Sequence, residues 1–116
     1  MAELRPRRLR AYTSNAIIAE THVLLLSRLR KARSAREARS RAREIIQGIY
    51  ASNVEIVRIA ETDEHDALRL LTKFDDQDFS FTDATSFAVM RRLGIAVAFT
   101  FDDDFTRAGF TDLRHV

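Results

Sequence analysis

One stretch decides the fold: residues 78–110, DFSFTDATSFAVMRRLGIAVAFTFDDDFTRAGF. Its first part predicts a helix that is capped by Thr82 and runs to about Leu93, and Gly94 is well placed to end it. The following apolar run, residues 95–100, predicts a buried strand. Three aspartates, residues 102–104, follow this run directly. The stretch therefore predicts a helix, then a buried strand, then an acidic segment at the carboxyl end of that strand.

The rest of the chain continues this alternation of helices and strands. Apolar residues at helical spacing predict a helix after the capping cluster of residues 13–15 and a second helix capped by Ser34. The β-branched residues of segment 54–59 predict a short strand, and Thr62 is predicted to cap the next helix. Residues 110–116 fit a final edge strand. The order α, α, β, α, α, β, with a possible last β, predicts an α/β fold with a mostly parallel sheet.

Length and composition limit the classes of protein that fit. The 116 residues fit one domain, 1–116, with residues 1–11 as a basic lead-in or remnant. The absence of Cys excludes a disulfide scaffold and thiolate metal sites, and no apolar run approaches a membrane span. Residues 1–43 carry a net charge of +9 and residues 44–116 a net charge of −7. This asymmetry fits a polyanion-binding surface beside a carboxylate cluster, or two ordinary solvated faces.

Acidic residues stand at three places where the fold could direct them toward a common site. Asp83 lies in the first turn of a predicted helix, Asp102 to Asp104 leave a buried strand, and Glu20 is the only acid on the strongly apolar first helix. If they converge, their oxygens suit Mg²⁺ or Mn²⁺. Each also has an ordinary explanation, as a capping aid, an acidic turn or a surface residue. Spacing alone does not decide between these interpretations.

The same stretches closely resemble the PIN-domain nucleases, which include the VapC-type toxins of bacterial toxin–antitoxin systems. The resemblance rests on residues 78–90, 93–95, 99–105 and 108–110, with residues 13–21 similar to a second conserved block. It implies an α/β fold with a central parallel sheet and a ribonuclease dependent on Mg²⁺ or Mn²⁺. By this resemblance the acidic site consists of Glu20, Asp83, Asp102 and Asp104, while Ser14 and Thr100 match polar positions that line it.

One departure from the family concerns the first strand. The family begins with a hydrophobic strand that ends in a metal-binding Asp, and this sequence contains no such element. Residues 1–12 resemble the end of the segment that follows that strand. Three explanations stay open: a start upstream of Met1, a degraded copy, or a strand supplied by a partner or by swapping.

Two further sets of residues bear on RNA binding. Four arginines of the segment 28–43 could line an RNA path, or simply form the solvated face of a helix: Arg33, Arg36, Arg39 and Arg43. The seven phenylalanines from Phe79 to Phe110 are expected in the core rather than in a base-stacking platform.

The resemblance therefore implies a metal-dependent endoribonuclease with an RNA substrate, a cognate antitoxin and a homodimeric state, and we expect a cytoplasmic protein with no membrane association. The alternative is a catalytically inactive PIN remnant that binds RNA or protein, which the missing first carboxylate favours. A plain α/β binding domain is a third hypothesis, which the two acidic motifs disfavour.

Overall fold

A computed structural model describes residues 10–100 and 103–113 of the protein. The elements follow in the order β1 (Tyr12–Ser14), α1 (Asn15–Leu29), α2 (Ala35–Ala51), β2 (Glu55–Val57), α3 (Glu61–Lys73), α4 (Phe81–Leu93), β3 (Val97–Ala98), α5 (Asp104–Arg107) and β4 (Thr111–Asp112). No helix in the described ranges is long and apolar enough to cross a membrane.

The strands form two parallel pairs. β1 pairs with β2, with Thr13 opposite Ile56, and β3 pairs with β4, with Ala98 opposite Asp112. Parallel neighbours need a crossover, and helices α1 and α2 supply it between β1 and β2. The predicted α/β class with parallel strands is confirmed, although the four described strands lie in two pairs rather than in one sheet.

The main core lies where α3 packs against α4. The ring of Phe87, which is 0% exposed, lies at its centre. Ring centroids of Phe79, Phe105 and Phe110 lie 5.1, 5.0 and 5.7 Å from it, the first two nearly perpendicular. Edge-to-face contacts of this kind add to the stabilisation from apolar burial. The aromatic residues at these positions are therefore core residues, as the sequence predicts.

An ion pair between the buried Asp63 and the exposed Arg92 joins the same two helices. The Asp63 side chain is 1% exposed and accepts hydrogen bonds from Arg92 Nε at 2.8 Å and Arg92 Nη2 at 3.0 Å. It also accepts one from the backbone N–H of Ala60 at 2.9 Å. The hydrogen bonds from Arg92 lower the pKa of Asp63 below its ordinary value, although burial opposes this shift.

Two predicted helix caps are wrong. α4 begins at Phe81 with Ser80, not Thr82, as its N-cap, and α3 begins at Glu61 after Ala60, not after Thr62. In both helices an acid three residues after the N-cap accepts a hydrogen bond from the N-cap backbone, which fixes the earlier start. The predicted cap Ser34 and the end at Gly94, where φ is +69°, are confirmed.

The strands differ more from prediction than the helices do. The run 95–100 contains only the two-residue β3, in which Val97 is 43% exposed, and the following Phe99 is 69% exposed. The expectation that this run and Phe99 are buried is therefore wrong, because one edge of β3 has no neighbouring strand in the described ranges. Phe81, also expected in the core, is exposed.

The other strands also differ from prediction. β1 was not predicted, and β4 lies within the predicted edge strand at 110–116. Phe101 and residues 114–116 lie outside the described residues.

Candidate active site

Asp83 is held at the start of α4 by a reciprocal pair of hydrogen bonds. Its Oδ2 accepts from the backbone N–H of Ser80 at 3.1 Å, and its own N–H donates to Ser80 Oγ at 3.0 Å. This capping box fixes the carboxylate against the N-terminal end of the helix. The predicted first-turn position of Asp83 is confirmed, and the capping explanation holds whether or not the acid also binds a ligand.

Glu20 and Ser14 lie on and before α1. Glu20 is exposed, and its helical spacing from Ile17 places both on one face. Ser14 is buried and caps α1, because its Oγ accepts from the backbone N–H of Ile17 at 3.1 Å. Ser14, which the resemblance matches to a polar residue lining the site, therefore has a structural role as the N-cap of α1.

The third group of predicted site residues follows β3. Thr100 is buried, and Asp104 opens the short α5, where it forms an ion pair with Arg107 at 3.2 Å. Asp102, which the resemblance matches to the fourth acid of the family's site, lies outside the described residues. In the ranges 10–100 and 103–113, no three Asp, Glu or His side chains lie close enough to hold a metal ion. The convergence of Glu20, Asp83 and Asp102 therefore stays a prediction.

A cavity of about 360 Å³ lies between the two strand pairs, and we call it the interstrand slot. Ile17 of α1 and Ser86 of α4 both line it, together with Ser14. Ile17 lies one turn before Glu20 and Ser86 one turn after Asp83, so two of the predicted acids stand one helical turn from its wall. The slot is thus a neighbour of the candidate site. Sequence patterns did not reveal it, since it depends on how the two pairs are placed.

The four arginines predicted for RNA binding are all exposed. Arg33 precedes α2, whereas Arg36, Arg39 and Arg43 follow one another on α2 at spacings of three and four residues and therefore share a face. The opposite side is packed through Ala38 and Ala42, which are fully buried. This geometry fits both a phosphate-binding stripe and a solvated helix face.

The ion pair of the buried Asp63 and the exposed Arg92 was missed as a feature of the fold. Asp63 looked like an ordinary first-turn acid, and no local signal marks Arg92, which lies 29 positions later, as its partner. Ser86 was also missed, although a hydroxyl within the buried run 84–90 of α4 is an unusual feature that the sequence does show. Its Oγ donates to the Thr82 carbonyl at 3.1 Å.

The parallel strand pairs and the helices between them define an α/β domain, which agrees with the family that the sequence resembles. The PIN domain family matches residues 2–111, and the chain belongs to this family. It is 40% identical over 103 residues to the 23S rRNA-specific endonuclease VapC20 of Mycobacterium tuberculosis, in strains CDC 1551 / Oshkosh and ATCC 25618 / H37Rv. That match covers 88% of this chain and 72% of the relative.

A solved structure agrees with the sequence comparison. The crystal structure of Mycobacterium tuberculosis VapC20, described as a sarcin–ricin loop cleaving toxin, superposes with a TM-score of 0.73 at 35% identity. The match covers 90% of this chain and 75% of that chain. The chain is therefore a VapC-type PIN-domain protein, and the comparison favours the nuclease class over the inactive remnant.

Proposed function

We propose that this protein is a toxin endoribonuclease that hydrolyses RNA phosphodiester bonds with the help of a bound divalent cation. The observation that carries the proposal is 40% identity, over 88% of the chain, to a relative named as an rRNA-specific endonuclease. Because that relative is named for 23S rRNA, a structured loop of 23S rRNA is the substrate we propose to test first.

We propose that Glu20, Asp83, Asp102 and Asp104 hold Mg²⁺ or Mn²⁺. The described residues alone form no three-acid cluster, so the proposed site requires Asp102. When bound, such an ion lowers the pKa of a coordinated water and stabilises negative charge on a phosphate. All-oxygen donors are the ligands these hard cations prefer. By the resemblance, a further carboxylate belongs to the first strand of the family.

The chain's own residues contribute orientation to this proposed site. The hydrogen bond from the Ser80 backbone keeps the Asp83 carboxylate in one rotamer before any ligand arrives. Ser14 caps α1, the helix that carries Glu20, and so fixes where that helix begins. We propose that Ser14 and Thr100 position the acids rather than react themselves.

The remaining parts of the proposal concern partners. We propose that Arg33, Arg36, Arg39 and Arg43 contact RNA phosphates, since a row of exposed cations on one helix supplies sequence-independent affinity. We also propose a cognate antitoxin, a homodimeric state and a cytoplasmic location, with residues 1–116 acting as one domain. These proposals rest on the membership of the chain in the VapC-type class.

The experiment compares Asp83→Asn with the matched control Asp76→Asn, which changes an exposed aspartate of the loop after α3. Asn can still accept the hydrogen bond from Ser80, so the cap is kept while the charge is lost. On a 23S rRNA fragment with Mn²⁺, we expect Asp83→Asn to cleave roughly 100-fold more slowly than the wild type. We expect Asp76→Asn to match the wild type, and chelation of the cation to stop all cleavage.

Calorimetric titration with Mn²⁺ supplies a readout independent of cleavage, and we expect weaker binding by Asp83→Asn only. Equal cleavage by Asp83→Asn and wild type would overturn the carboxylate assignment. RNA binding without cleavage by any of the three proteins would contradict the nuclease and support the non-catalytic module.

A further inference from the structure

The exposed charges of α2 are sorted onto two sides of the helix. Arg41 forms an ion pair with Glu44 at 3.2 Å, and Glu37 accepts a hydrogen bond from the hydroxyl of the cap residue at 3.1 Å. At about 3.6 residues per turn, these three lie on one exposed side. The other exposed side carries the residues that we call the arginine stripe: Arg36, Arg39 and Arg43. Within residues 10–100 and 103–113, no acid forms an ion pair with any of them.

The arginine stripe does not stabilise α2 itself. Arg39 lies three residues after Arg36 and four before Arg43, and like charges at these spacings destabilise a helix. Arg36 also lies in the first turn, where the helix dipole disfavours a cation. A segment that breaks local stability rules without an internal gain is expected where a ligand binds. The stripe is therefore better explained by an anion that it binds than by the needs of the helix.

An exposed aromatic ring follows the arginine stripe on the same side of α2. Tyr50 lies seven residues after Arg43, which is close to two turns, and the exposed Gln47 lies between them on that side. Tyr50 is 51% exposed, and in the described part of the chain it forms no hydrogen bond and no ring contact. The other tyrosine differs, because Arg10 Cζ lies 5.7 Å from the centroid of the Tyr12 ring. A single exposed apolar side chain is ordinary on a protein surface. What distinguishes Tyr50 is its alignment with three unpaired arginines.

Cations in a row with an aromatic ring are the combination that holds single-stranded nucleic acid. Guanidinium groups bind the backbone phosphates, and the ring offers a flat face on which an unpaired base stacks. The bases of a duplex are stacked on one another and do not expose these faces. About 21 Å of helix separates Arg36 from Tyr50, so one strand of several nucleotides can contact both. An acidic protein segment would satisfy the arginines but would leave the ring unused.

We propose that Tyr50 stacks on an unpaired base of an RNA strand whose phosphates the arginine stripe binds. The inference rests on the RNA substrate of the proposed function and adds to it a preference for a single-stranded segment. The arginines give affinity that does not depend on base pairing, because strands and duplexes both present phosphates. Tyr50 gives the preference, because only an unpaired base can stack on its face.

Equilibrium binding of RNA tests the proposal without any cleavage. The full 116-residue chain is titrated into fluorescently labelled RNA with a chelator present, and anisotropy is recorded. One probe is an unstructured single strand of about ten nucleotides, which lies within the site sizes of single-strand-binding proteins. The other probe is the same strand annealed to its complement. Titrations at several salt concentrations give the slope of log affinity against log salt, which reports phosphate contacts.

Tyr50→Ala removes the ring, whereas Tyr50→Phe keeps it. We expect Tyr50→Ala to bind the single strand about 10-fold more weakly and the duplex unchanged, so the ratio of the two affinities falls about 10-fold. Its salt slope should equal that of the wild type, because no phosphate contact is lost. Tyr50→Phe should bind both probes as the wild type does, since stacking needs the ring and not the hydroxyl. Because Tyr50 is exposed, both variants should fold, which circular dichroism verifies.

Arg39→Ala and Arg41→Ala form a matched pair. Each removes one arginine from α2, so the two change net charge and helix propensity equally, but only Arg39 belongs to the arginine stripe. We expect Arg39→Ala to weaken binding of both probes several-fold and to reduce the steepness of the single-strand salt slope by about 0.7. Arg41→Ala should bind as the wild type does, because Arg41 lies on the other exposed side and pairs with Glu44.

Four outcomes would overturn the proposal. Equal weakening of strand and duplex binding by Tyr50→Ala would mean that the ring does not stack on a base. Equal losses in Arg39→Ala and Arg41→Ala would mean that net charge, rather than the stripe, attracts RNA. Failure of the wild type to bind either probe at low salt would remove RNA as the ligand. Polyglutamate that displaces the strand as effectively as unlabelled RNA does would assign the stripe to an acidic protein segment.

Failure of this inference and failure of the proposed nuclease give different results. RNA binding with these properties, but no cleavage by the wild type with Mn²⁺, would support the stacking role of Tyr50 and contradict the enzyme. Cleavage of a single-stranded substrate that requires Asp83, with the same KM in Tyr50→Ala as in the wild type, would support the enzyme and contradict the stacking role.

Discussion

The two regions on either side of α4, which is itself buried from residue 84 to residue 90, contrast in how completely they are packed. Toward α3, the helix contributes Phe87 to a cluster of aromatic rings and Arg92 to an ion pair with the buried Asp63. Toward the strands, Val89 and Met90 line the interstrand slot, and across it Val97 and Phe99 are exposed. Apolar sequence is present on both sides. The difference shows that burial requires a neighbouring element, and that an apolar run alone does not secure one.

The largest expected effect tests this contrast with two Phe→Ala changes. Phe87→Ala removes a fully buried ring that contacts three others, so we expect the free energy of unfolding to fall by about 3–5 kcal/mol. Phe99→Ala should change it by less than about 0.5 kcal/mol, because that side chain is already exposed to solvent. Urea denaturation measures both. Similar losses in the two variants would mean that the strand side is as well packed as the helical side.

The next effect concerns the ion pair between α3 and α4. Arg92→Ala leaves the buried Asp63 carboxylate with only the Ala60 N–H among its three hydrogen bonds, so we expect a loss of about 2 kcal/mol. This expected loss of stability is smaller than the loss on breaking a fully buried ion pair, because the Arg92 side chain is 43% exposed. Arg91→Ala, an exposed neighbour on the same helix turn, is the control and should be near neutral.

The same pair sets a pH dependence. Because the folded-state pKa of Asp63 lies below its unfolded value of about 4, its contribution is present above pH 4 and is lost as pH falls through the folded pKa. Asp63→Asn should therefore reduce the slope of stability against pH below about pH 4. An unchanged slope in that variant would assign the acid sensitivity to other carboxylates.

Sequence patterns predicted the helices better than the strands for a physical reason. A helix is specified locally, by caps such as Ser34 and by apolar spacing. Accordingly, α1 and α2 begin and α4 ends where the sequence predicts. β1 has three residues and β3 two, too short for a periodic signal, and their burial depends on neighbours distant in sequence. This is why the run 95–100 was predicted as buried although Phe99 is exposed.

The candidate site shows the same limit. Asp83 could be placed at a helix start because its neighbours in sequence specify that helix. The resemblance supplied Glu20 and Asp102 as its partners, because the relation between separate helices and strands is not encoded in any short window. Asp63 is also an aspartate three residues after an N-cap, yet it is buried and pairs with Arg92. First-turn acids therefore cannot be sorted into structural and functional ones by position alone.

The smallest expected effect concerns the cap of α4, the helix that joins both regions. Ser80→Ala removes the acceptor for the Asp83 N–H, so we expect a loss of about 1 kcal/mol in unfolding free energy. Thr82→Ala, at the cap position that the sequence predicted, should cost less than about 0.5 kcal/mol, because its carbonyl rather than its hydroxyl accepts from Thr85 and Ser86. The reverse order would place the helix start two residues later. Ser80→Ala keeps the backbone N–H that donates to the Asp83 carboxylate, so for the proposed nuclease we expect its rate of RNA cleavage to equal that of Thr82→Ala. Slower cleavage by Ser80→Ala would instead show that the hydrogen bond to the Ser80 hydroxyl is also needed to orient that carboxylate.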